Sequence, residues 1–147
     1  MRKFLENIDI FKKIAYNIVE KELETMLIKF NFKNFKSFKN ENCLDMEATS
    51  IKEHEYNLIE ADGNRYLKVS AIYGANASGK TNVLQAFDYM KKRILVSDDS
   101  KKNMPMTEEN VYSFMINEEP IAMEVEIRAK NGNIYKYGFE ALKDKIL

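Results

Sequence analysis

Apolar and polar positions change period along this chain, and each change predicts an element. Over residues 1–25, Phe4, Ile8, Phe11, Ala15 and Ile18 recur at alternating steps of four and three. Leu5, Ile14, Val19 and Leu23 widen the stripe, so one amphipathic helix is expected, either docking elsewhere or packed on its own domain. From Met26 the period drops to two: Ile28, Phe30 and Phe32 share one face, and Leu27 and Lys29 the other. Residues 34–40 read as a turn-rich connection, followed by a second strand around residues 43–48. Asp62-Gly63 is a hairpin signal between residues 56–61 and an arm beginning at Asn64. That arm is expected to continue as a strand over residues 65–73, ending in Val69-Ser70-Ala71-Ile72-Tyr73. Residues 81–96 then carry Val83, Leu84, Phe87, Met90, Ile94 and Leu95 at helical spacing.

Beyond that helix, residues 97–110 are polar, contain Pro105 and read as a connector. An antiparallel set is expected next, over residues 111–116, 121–130 and 133–142. Its middle strand alternates cleanly, with Ile121, Met123, Val125, Ile127 and Ala129 opposed to Glu124, Glu126, Arg128 and Lys130. Asn131-Gly132 is read as a type I′ turn. Tyr135, Tyr137 and Phe139 share a face and are assigned to the core in preference to a base-stacking platform.

The junction between the expected strand and helix carries chemistry. Gly74, Ala75, Asn76, Ala77, Ser78, Gly79, Lys80 and Thr81 fit G-x-x-x-x-G-K-[ST] at every fixed position. Without a Cβ, Gly74 and Gly79 are expected to take left-handed angles and turn the loop's N–H groups inward. Those amides and the positive end of the helix would cradle the phosphates of ATP. Lys80 would meet the β/γ oxygens, and the Thr81 hydroxyl would ligate Mg²⁺. The bland alternative is a glycine-containing turn that binds nothing. Its position between strand and helix argues for the nucleotide site.

Composition narrows the setting. At 147 residues the chain is expected to hold one domain over residues 26–147, with residues 1–25 as a helical extension. Hydrophobic residues make up 45% and charged ones 31%, and no apolar run approaches the roughly 18 residues of a membrane span. Charges at Glu6, Asp9, Lys12 and Lys13 break any signal-peptide pattern, so a cytoplasmic protein with no membrane partner is expected. The lone Cys43 excludes an internal disulfide and a C-x-x-C zinc pair. Lys+Arg and Asp+Glu both total 23, so the balance shows no nucleic-acid footprint. Lys29, Lys33, Lys36 and Lys39 lie close in sequence, as a solvated face or a phosphate-contacting patch.

The form G-x-N-x-S-G-K-T, with Asn76 at its third position, resembles the loop of ABC-type ATPases, including the SMC and RecF groups. Upstream, Asn34-Phe35-Lys36-Ser37-Phe38 looks like the N-F-x-S-F opening of the same class. The combination with Ala71-Ile72-Tyr73 and Asn82 is closer to bacterial AAA-type ATPases grouped with abortive-infection and OLD-like proteins. This likeness runs from Met26 to about Leu142, and it implies that residues 1–25 are either a true helical extension or an upstream stretch not native to the domain. It implies an α/β P-loop NTPase architecture, ABC-ATPase-like, with an antiparallel β-lobe and an N-terminal amphipathic helix. It adds Asn34, Lys36 and Ser37 as weaker nucleotide-binding candidates, with ordinary turn chemistry as the alternative.

Several parts of that class are not found. The only glutamine, Gln85, falls inside the P-loop helix, and the only histidine, His54, precedes the loop. No LSGG-like segment exists. The nearest imitation of a Walker B motif, Phe114-Met115-Ile116-Asn117-Glu118-Glu119, has Asn117 where a metal-binding Asp belongs. It reads instead as a strand running into a turn. No catalytic residue is identifiable. The expectation is the N-terminal half of an ATPase that binds ATP–Mg²⁺ and hydrolyses it only when a C-terminal half or second subunit completes it. A regulatory module pairing with a full-length ATPase, or a truncated remnant, are the alternatives. Nucleic acid as a partner rests on family likeness alone.

Overall fold

A computed structural model describes residues 26–50, 53–96, 119–142 and 145–146. The expected N-terminal helix, the 97–110 connector and the 111–116 strand lie outside them. Strands β1 (Met26–Lys33), β2 (Asn42–Asp45), β5 (Ile121–Arg128), β6 (Ile134–Leu142) and β7 (Lys145–Ile146) form a five-stranded sheet in the order β2-β1-β5-β6-β7. Every pairing in it is antiparallel. A separate two-stranded hairpin joins β3 (Leu58–Ala61) to β4 (Asn64–Leu67). Helix α1 (Lys80–Val96) covers one face of the large sheet.

Alternation in the sequence sets the two faces of this sheet. In β5, Ile121, Met123, Val125 and Ile127 are buried, and the residues between them are only half-buried. Ile28, Phe30 and Phe32 of β1 join them, and Phe139 and Ala141 arrive from β6. A bulge between Leu27 and Lys29 shifts the β1–β5 register by a residue. The outer face is laced by Lys136–Glu124 at 2.9 Å and by Asn31 donating to Glu124. Three of the four clustered lysines have separate partners: Lys29 pairs with Asp45 and Glu47, Lys33 with Glu119, and Lys36 donates to Gln85. Lys29 and Lys33 are thereby matched by carboxylates.

The hairpin turn at Asp62-Gly63 forms as expected, with both residues at positive φ (51° and 78°). Arg128 fastens this turn to β5 through its Nη2, 2.7 Å from Asp62 Oδ2. Residues 46–48 bridge the two sheets: Met46 donates to Ile28, while Leu67 donates to Met46.

Three local expectations are corrected. The Asn131-Gly132 connection is not type I′, because only Gly132 has positive φ (84°). Gly132 N–H bonds to Ala129 and Ala129 N–H to Asn133, which is a type I turn closed by a left-handed glycine. The buried side of α1 keeps Met90 and Ile94 of the expected stripe, with Val83 and Phe87 packed against the core, but leaves Leu84 out. Ala86, Tyr89, Met90, Arg93 and Ile94 are buried, whereas Leu84 is 65% exposed. Arg93 can join a core face because its guanidinium carbon lies over the Tyr89 ring, 5.4 Å from its centroid, and its Nε donates to the Tyr89 hydroxyl at 3.0 Å. Finally, the strand expected over residues 65–73 stops at Leu67. Val69 and Tyr73 are 64% and 90% exposed, and among the described residues no strand pairs with this stretch. High β-propensity does not make a strand without a neighbouring ladder.

Candidate functional site

The 74–81 loop connects that unpaired stretch to α1. Its shape comes from alternating backbone hands: Ala77 (φ 61°) and Gly79 (φ 92°) are left-handed. Gly74 is not, which corrects the expectation for that residue. The steric reason for glycine there is close approach, since a Cβ would stand 2.9 Å from Ser78 Oγ. The Gly79 carbonyl accepts from Asn82 and Val83 and so starts the helix. The first-turn amides before them have no helical acceptor, the usual basis of anion binding at a helix start. Lys80 is folded back, its Nζ donating to the carbonyls of Gly74 (2.9 Å) and Ala75 (2.6 Å). Asn76, Ser78 and Thr81 are exposed along the same loop.

The 34–38 turn lies directly against this loop. Asn34 and Lys36 have positive φ (56° and 49°), and Phe35 and Phe38 exchange backbone bonds of 2.9 Å. Phe38 packs edge-on to Phe32 and Phe35 tilts against Tyr89, so the turn is anchored to both sheet and helix. Ser37 Oγ accepts from Asn82 Nδ2 at 2.9 Å, and Lys36 Nζ donates to Gln85 Oε1 at 2.9 Å. Ser37 and Lys36 are therefore brought to the loop and helix start. Asn34 is not: it is fully buried, donates to the Glu119 carbonyl at 2.7 Å, and its Oδ1 has no partner among the described residues. Sequence reasoning missed Asn82 as the partner of Ser37. The two are 45 positions apart, and no local pattern links them.

The rejected imitation motif lies outside the described residues except for Glu119. That carboxylate pairs with Lys33 at 3.3 Å. His54 is exposed, with its Nδ1 3.1 Å from the Tyr56 hydroxyl. Burial raises the Tyr89 hydroxyl above its ordinary pKa, and the bond from Arg93 offsets only part of that effect. Among the described residues no helix is long and apolar enough to cross a membrane.

Among the described residues, a sheet-dominated fold with one α-helix rising from a glycine-bounded loop accords with an AAA-type ATPase domain, the class to which comparison assigns the chain. The chain belongs to the family described as "AAA domain, putative AbiEii toxin, Type IV TA system", whose model matches residues 69–146, more than half its length. This relates it to abortive-infection proteins. The match begins just before the 74–81 loop, so β1, β2, the hairpin and the 34–38 turn precede it. No curated protein matches the chain.

Proposed function

We propose that residues 74–81 bind ATP with Mg²⁺, and that the chain supplies the N-terminal part of an ABC/OLD-like ATPase head. The observation that carries this reading is the loop itself: left-handed Ala77 and Gly79, a lysine reaching back over the loop, and helix α1 beginning at that lysine. In it the amides would hold the phosphates, Lys80 would leave its two carbonyls for the β/γ oxygens, and Thr81 would offer its exposed hydroxyl to the ion. A hard hydroxyl oxygen fits Mg²⁺, which keeps most of its shell as phosphate and water oxygens. No cluster of three or more His, Cys, Asp or Glu occurs among the described residues. The bound ion would screen the phosphate charge.

Hydrolysis also needs a positioned water and a carboxylate on the metal side. The 147 residues carry no recognisable downstream motif for either. The exposed 69–73 stretch supports completion by another polypeptide segment, because its backbone has no sheet neighbour among the described residues. The test is turnover of ATP by the purified chain beside its Lys80→Ala variant. Equal, background-level turnover is expected, with ATP bound by the unaltered chain only. Lys80-dependent turnover by the chain alone would sink the reading of an incomplete head.

A further inference from the structure

The 34–38 turn and the start of α1 are joined by side chains outside the phosphate-binding motif. Asn82 Nδ2 donates to Ser37 Oγ at 2.9 Å. A Cβ on Gly79 would stand 2.8 Å from that same oxygen and 3.1 Å from Phe38 Cζ. The missing side chain at Gly79 is thus what admits Ser37 to the loop. The Phe35–Phe38 backbone bonds close the turn, and the Phe32–Phe38 edge contact (5.0 Å) and the Phe35–Tyr89 contact (5.7 Å) tie it to sheet and helix.

A serine hydroxyl has one proton to donate and two lone pairs to accept with. With Asn82 donating into Ser37 Oγ, the hydroxyl's own proton is left to be given elsewhere. Ser37 is exposed, and it stands beside the residue that precedes Lys80. We propose that Asn82 is a positioning residue: it orients the Ser37 hydroxyl so that its proton is donated to a phosphoryl oxygen of a nucleotide held by residues 74–81. This rests on the reading of that loop as a nucleotide site. Asn82 itself need not touch the ligand. Lys36, held beside it on Gln85 at 2.9 Å, ties the same turn to the next turn of the helix.

The test is a double-mutant cycle on the full chain, with Mg–ATP affinity measured by calorimetry for the unaltered protein, Asn82→Ala, Ser37→Ala and the double variant. Each single change is expected to weaken binding roughly three- to tenfold, the worth of one hydrogen bond. The double variant should bind no more weakly than Ser37→Ala, since Asn82 acts through that hydroxyl. Ser37→Thr, which keeps the hydroxyl, should retain affinity. Should Asn82→Ala unfold, Asn82→Leu removes the donor at similar size and enters the same cycle. An equal loss from the Asn82 change in both Ser37 backgrounds would assign it a structural role in α1 and overturn the proposal. Unchanged affinity in Asn82→Ala, with binding still abolished by Lys80→Ala, would overturn it while leaving the nucleotide site standing. Absence of ATP binding by the folded, unaltered chain would remove both.

Discussion

Ala77 holds a backbone conformation that its side chain disfavours. At φ 61° an L-residue with a Cβ loses about 1–2 kcal/mol relative to glycine's freedom there. Glycine loses about 0.5–1 kcal/mol more chain entropy on folding, so Ala77→Gly should stabilise the protein by up to about 1 kcal/mol. Urea denaturation measures it, and a clear loss of stability would show that the loop is not left-handed at that residue. Gly79→Ala should do the reverse. It combines φ 92° with a Cβ 2.8 Å from Ser37 Oγ, so a cost of about 1–3 kcal/mol and displacement of the 34–38 turn are expected. Both should appear as a lower denaturation midpoint and faster amide exchange in that turn. The need for glycine at residue 79 was legible in the motif. The left-handed Ala77 was not, because the motif leaves that position open and chemical identity there says nothing of backbone angle.

Helix α1 and the strand it covers differ in how much their sequences disclosed. A half-buried strand has only two faces, so the alternation of Ile121, Met123, Val125 and Ile127 fixed which side of β5 meets the core. The helix offered apolar residues on several sides, and Arg93 and Tyr89 entered the core as a pair, guanidinium over ring and Nε on hydroxyl. Of the expected stripe, Met90 and Ile94 are buried and Val83 and Phe87 pack against the core, and among the described side chains Leu84 alone is misplaced. That burial has a pH consequence. Tyr89 keeps its proton above the ordinary tyrosine value near 10, with desolvation the largest cause. A group with its folded pKa raised contributes stability that is full below its unfolded pKa and is lost as pH rises through the folded one. Stability should therefore fall above about pH 10, and less so in Tyr89→Phe. Denaturation midpoints from pH 8 to 11 check this; identical slopes for the two proteins would rule Tyr89 out as the cause.

The described residues form a β-lobe with the 74–81 loop beside it, and the part most misjudged from sequence is the part that depends on distant chain. Residues 65–73 have strand composition, yet the ladder ends at Leu67 because nothing among the described residues pairs beyond it. Pairing is a property of neighbours, and local pattern does not show whether they are present. The resulting exposure of Val69 (64%), Ile72 (40%) and Tyr73 (90%) makes this stretch the expected site of association, as unpaired edges are elsewhere. Sedimentation velocity over a concentration series should show self-association that Val69→Ser with Ile72→Ser reduces. A concentration-independent monomer for the unaltered chain would refute that expectation.

Nucleotide binding at residues 74–81 is tested most directly by calorimetric titration of ATP with Mg²⁺ into the intact chain, beside Lys80→Ala. Saturable binding is expected for the unaltered protein and none for the variant, because only the former has an ammonium to replace its contacts with Gly74 and Ala75 by contacts with phosphate. Equal binding by both, or none by a demonstrably folded unaltered chain, would refute the assignment of this loop as the nucleotide site.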